Sequence, residues 1–102
     1  MKFIAIMGHE ETRSKVRALF QKYQVHMFSN VAIRGCNCEA RGSQQQAWWP
    51  TNEMPASYSS LCFALLDDDK AEAMMAELEK NPIVVDNDFP AKAFLMNVEK
   101  TA

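Results

Sequence analysis

Apolar side chains fill both alternating sets of positions in the first segment. Across residues 2–7, Phe3, Ala5 and Met7 share one face, Ile4 and Ile6 share the other, and Gly8 ends the run. A strand that is apolar on both sides lies in the middle of a sheet with both faces covered. The period then changes. Val16, Leu19, Phe20 and Tyr23 recur at i, i+3, i+4 and i+7, which is the stripe of an amphipathic helix, and Glu10 and Glu11 supply negative charge where a helix begins. Arg13, Lys15, Arg17 and Lys22 take the other faces and read as a solvated helix surface.

Residues 25–34 return to a period of two, with Met27, Ser29, Val31 and Ile33 set against Phe28, Asn30 and Ala32. This predicts a second strand. A third strand is predicted over 61–66, again apolar on both faces. Asp67, Asp68 and Asp69 offer caps for a second helix carrying Ala71, Met74, Met75 and Leu78, which Asn81-Pro82 stops. Residues 83–85 make a short apolar run suited to a small strand, and 86–92, with Pro90, read as a turn-rich connection. A last strand over 93–98 puts Phe94, Met96 and Val98 on one face.

The order β-α-β-β-α-β is that of a ferredoxin-like α+β sandwich, a four-stranded antiparallel sheet with two helices on one face. At 102 residues the chain is expected to form one domain. Strands that are apolar on both sides leave the second sheet face in need of a cover, so self-association is expected.

Composition narrows the function. A net charge of −2 gives no basic field for nucleic acid. No apolar run approaches the roughly 20 residues of a membrane helix. The first residues read as a strand rather than a signal peptide. Three cysteines, an odd number, argue against a disulfide framework and for a reducing cytoplasm. No phosphate loop, dinucleotide turn or nucleophile triad is present, so the chain reads as a non-enzyme.

Residues 35–59 keep neither period. They hold Gly35, Gly42, three glutamines, Trp48-Trp49-Pro50 and Pro55. A connection beyond about 12–15 residues without periodicity is typically functional or disordered, and this one is expected to be mobile without a ligand. Trp48 and Trp49 suit docking to a partner, or covering the domain's own sheet edge. Cys36-Asn37-Cys38 offers two soft ligands that His9 or His26 would complete as a metal site, or it is an ordinary loop pair. Cys62, inside a predicted strand, reads as a small core residue.

Several short motifs, in this order, resemble the PII signalling proteins, and the resemblance spans nearly the whole chain. Val16-Arg17-Ala18-Leu19 is similar to the family's first helix, Val25-His26-Met27 to the start of its second strand, and Ile33-Arg34-Gly35 to the opening of its long T-loop. Lys92-Ala93-Phe94-Leu95-Met96-Asn97-Val98-Glu99 is similar to its final strand. The resemblance implies a cytoplasmic homotrimer that binds an adenine nucleotide (ADP, AMP or ATP) in clefts between subunits. Ser29, Arg34, Gly35, Cys36 and Lys92 would line each cleft, and the loop at 35–59 would act on a partner transporter or enzyme. The family's glycine-rich phosphate loop is reduced here to Asn87-Asp88-Phe89-Pro90-Ala91-Lys92, which favours ADP or AMP at least as much as ATP. Glu39 stands where the family has a glutamine, and the loop's modified-tyrosine signature is missing. The chain therefore resembles a divergent PII-like protein, a group tied to bicarbonate and other carbon metabolism, metal transport and nitrogen metabolism. The alternative is a CutA-like trimer of metal tolerance that uses Cys36 and Cys38.

Overall fold

The computed structural model describes residues 1–34, 59–84 and 90–102. Its elements are β1 (Lys2–Gly8), a 3-10 turn (Glu10–Thr12), α1 (Arg13–Lys22), β2 (Ser29–Ala32), β3 (Ser60–Leu66), α2 (Asp68–Lys80) and β4 (Lys92–Asn97). The strands form one sheet in the order β2-β3-β1-β4, with every neighbouring pair antiparallel. Each helix therefore links two strands that run the same way with a third between them, which is the ferredoxin-like arrangement. The expected features at Gly35, Cys36, Cys38, Glu39, Trp48 and Trp49, and residues 86–89 of the expected turn-rich connection over 86–92, lie outside the described residues.

The alternation along the strands decides what is buried. Ile4, Ile6, Cys62, Ala64 and Leu66 point to the helical side, where they meet Val16, Leu19 and Phe20 of α1 and Ala71 and Met74 of α2. Each large side chain buried there contributes roughly 1.5–3 kcal/mol. Tyr23, Met75 and Leu78 complete the predicted helix stripes as half-buried neighbours of this core. Cys62 is a core residue, as expected.

Two turns position the first helix. Glu11 donates its backbone N–H to Nδ1 of His9 (3.0 Å), and the Thr12 hydroxyl donates to the carbonyl of His9 (2.6 Å). Gly8 lies against this turn: a Cβ there would sit 2.8 Å from Thr12 Oγ1 and 3.2 Å from the Ala91 Cβ, so only glycine fits without a shift. At the other end, Val25 N–H bonds the Phe20 carbonyl (2.8 Å) and Gln24 N–H bonds that of Gln21 (3.0 Å). Gln24 has φ of 60°. These are the paired bonds and left-handed residue of a Schellman motif.

That motif corrects the predicted second strand. The ladder spans only Ser29–Ala32, not residues 25–34. Val25 closes the helix and is buried, while Phe28 packs its ring on Phe20 with centroids 4.6 Å apart. Ile83 and Val84 make no strand; the Ile83 carbonyl instead accepts the Ala91 N–H (2.8 Å) just before β4. Asp67 holds the N-cap position of α2 without a side-chain capping bond, and Asp68 pairs with the terminal ammonium of Met1 at 2.7 Å.

Candidate functional site

The face of the sheet away from the helices is apolar and uncovered by the described chain. Register sets its rows: Val31, Leu61, Met7 and Lys92 lie side by side, then Ser29, Phe63, Ala5 and Phe94, then Leu65, Phe3 and Met96. Leu65 and Met96 are 52% and 50% exposed. The rings of Phe3 and Phe63 lie 5.6 Å apart on this face. Ala5 is nearly buried although it faces outward, because Phe63 and Phe94 flank it on the adjacent strands.

The predicted nucleotide residues divide between the two edges of the sheet. Ser29 is exposed in edge strand β2, and Arg34 follows that strand by two residues and is exposed. Lys92 opens the other edge strand, β4, and is half-buried. Three strand spacings separate these edges, about 14 Å. Within one chain the structure does not bring Ser29 and Lys92 together. Ser29 instead borders an open groove of about 680 Å³ whose walls include Phe3, Met27, Phe63 and Leu65. Gly35 and Cys36, the other expected contacts, lie outside the described residues, as do both ends of the Cys36–Cys38 metal alternative. Among the described residues no three potential ligands gather around a metal position.

The stems of the long connection are tied together at its base. Ile33 N–H donates to the Ser59 carbonyl, and Ser59 N–H to that of Gly8, both at 3.0 Å. The Ser59 hydroxyl also accepts the backbone N–H of Glu10 at 3.0 Å. Whatever the segment between the stems contacts, its exit is fastened to the turn that starts α1.

A second concavity lies on the helical side, between α1 and β2. It has a volume of about 480 Å³ and is bordered by Glu10, Glu11, Arg13, Ser14, Arg17, Phe28, Asn30 and Cys62. Arg13 and Arg17 are exposed, as the helix pattern predicts, and Asn30 faces them from β2. An i, i+4 pair of arginines was visible in the sequence; that it overlooks the uncovered edge of a sheet was not.

Elsewhere the charged groups serve the fold. Glu77 of α2 accepts from the Tyr23 hydroxyl (2.6 Å) and from Lys22 (2.9 Å) of α1. The hydrogen bond from Tyr23, and then that from Lys22, holds the Glu77 carboxyl below its usual range. The terminal ammonium does the same for Asp68.

The sheet order, the two helices on one face and the open apolar face define a ferredoxin-like sandwich. No family model matches the sequence, and no curated protein matches it. In three dimensions 106 solved chains match. One of them is CPII, described as a nitrogen regulatory PII-like protein from Thiomonas intermedia K12, bound to ADP, AMP and bicarbonate. The match covers 95% of this chain and 88% of that one with a TM-score of 0.61, at 9% sequence identity. The chain thus has a PII-like fold. No described helix is long and apolar enough to cross a membrane.

Proposed function

We propose that this chain is a PII-like regulatory protein without enzymatic activity. In this reading it is a cytoplasmic homotrimer that binds an adenine nucleotide between subunits and controls a partner transporter or enzyme through residues 35–59. The observation that carries the reading is the division of Ser29 and Arg34 from Lys92 across opposite edges of the sheet. A cleft that uses all three needs the β2 edge of one copy beside the β4 edge of another. An interface between two different edges is heterologous, and when its rotation closes it makes a ring. The same ring gives the apolar face of each sheet a cover.

The chemistry of the two edges is complementary to a nucleotide. The groove beside Ser29 offers Phe3, Met27, Phe63 and Leu65 to a planar base, with the hydroxyl as a polar contact. Lys92 and Arg34 supply cations for phosphate. The PII-like neighbour bound to ADP, AMP and bicarbonate makes these the first ligands to try, and a role in bicarbonate or nitrogen metabolism follows from the same likeness. Gly35 and Cys36 join the cleft in this reading, and Trp48 and Trp49 anchor the partner.

Calorimetric titration with ADP, AMP and ATP, combined with sedimentation velocity, tests the proposal. The expected result is a trimer with about one site per chain and ADP or AMP binding at least as well as ATP. A stable monomer at micromolar concentration overturns it, as does a trimer that binds no nucleotide. Retention of copper or zinc through Cys36 and Cys38, without nucleotide binding, is the result expected of a CutA-like protein instead.

A further inference from the structure

We infer that the groove between α1 and β2 is a second ligand site, separate from the sheet-edge cleft, and that it takes a small zwitterion of the α-amino-acid type. The groove exists because α1 packs over the middle of the sheet, and no other described element covers the helical side of edge strand β2. Its volume of about 480 Å³ lies within the usual range for small-molecule sites, about 300–1,000 Å³. Phe28 and the buried Cys62 line it from the sheet.

The polar groups around it are paired in an uneven way. Arg13 and Arg17, one helical turn apart, both border the groove, and neither side chain makes a hydrogen bond or ion pair with another described residue. Two guanidiniums so placed suit a carboxylate, which they can hold through parallel N–H bonds. The carboxylates of Glu10 and Glu11 border the same space and likewise pair with no described residue. Asn30 completes the set. Its amide nitrogen donates to Cys62 Sγ (2.8 Å) and to Ser60 Oγ (3.3 Å), which fixes the orientation of the amide. Its oxygen remains as an acceptor without a described partner. Among the described residues, then, the groove presents unpaired cationic donors together with unpaired acceptors and anions, and they do not neutralise one another. A simple anion would satisfy the arginines and leave the acceptors facing it. A ligand with a carboxylate and an ammonium satisfies both.

The experiment is an amide chemical-shift titration of the full chain with each of the twenty common L-amino acids at millimolar concentration. Each amino acid that binds is matched by its analogue without the amino group, such as glutarate for glutamate. The expected result is at least one amino acid that shifts resonances of α1 and β2, while its deaminated analogue binds far more weakly. Arg17→Gln, at an exposed position, is expected to weaken that binding about tenfold or more with the circular dichroism spectrum unchanged. ADP affinity measured on the same variant is expected to be unaffected, so failure of this site and failure of the nucleotide cleft are told apart. If Arg17→Gln disturbs folding, Arg13→Gln replaces it with the same expected loss. The inference is overturned if no amino acid shifts these resonances. It is also overturned if the deaminated analogue binds equally well, or if neither arginine variant changes affinity.

Discussion

Leu65 and Leu66 are neighbours in β3, yet one is 52% exposed and the other 5%. The difference comes from the two faces of the sheet. Leu66 points to α1 and α2, which cover it from the same chain. Leu65 points to the opposite face, where Phe3, Phe63 and Met96 make an equally apolar surface that no described element covers. The two faces show that hydrophobic content alone does not say whether a residue stabilises the monomer. What matters is whether the chain itself or a second copy supplies the cover.

Substitution at these two positions is the most direct way to break that comparison. Leu66→Glu buries a charge with no partner and is expected to unfold the protein outright, read as loss of the cooperative urea transition. Phe20→Ala, at a fully buried site on the same face, should cost about 3–5 kcal/mol in the same measurement. Leu65→Glu should leave the helical signal intact, because the monomer already exposes that position, and instead convert the proposed trimer to monomers in sedimentation velocity. A monomer produced by Leu66→Glu rather than by Leu65→Glu would reverse the assignment of the faces.

Smaller effects sharpen the picture at the edges. Lys92→Ala is expected to lower ADP affinity about tenfold without changing the melting temperature, consistent with losing one charge-assisted contact. Unchanged affinity by calorimetry removes Lys92 from the proposed cleft. Gln24→Gly should stabilise by about 0.5–1 kcal/mol, since glycine adopts the left-handed conformation that the end of α1 requires without the Cβ clash.

The smallest effect is in acid. The carboxyl of Glu77 is held below its ordinary value of 4.5 in the folded chain by Tyr23 and Lys22. The unfolded state therefore takes up the proton first as pH falls. The stabilisation from this group is complete above that ordinary value and is lost as pH drops through the lower folded one. Thermal melts between neutral pH and pH 3 should show a slightly shallower decline for Glu77→Gln than for the parent chain.

The element order and the inward face of each helix were legible in the sequence, because alternation and the 3.6-residue period reflect the burial that the fold enforces. The second strand was only partly legible. Val25, Met27 and Phe28 have the composition of a strand, but Val25 completes a helix terminus through bonds to α1 that no periodicity reports. The candidate nucleotide residues were found by likeness to PII motifs rather than by local chemistry, and their division between two edges could not be read from a linear order.

By itself, then, the sequence determined that the chain forms a β-α-β-β-α-β unit with more apolar surface than two helices can cover. That much depends on local period and on the summed area of apolar side chains. Only the tertiary structure decided that β2 and β4 are the edges and that Ser29 and Lys92 stand at opposite edges of the same sheet face. It alone decided that Arg13, Arg17 and Asn30 border one groove. Such juxtapositions join residues distant in the chain, and they are set by strand order and helix packing, which no local pattern encodes.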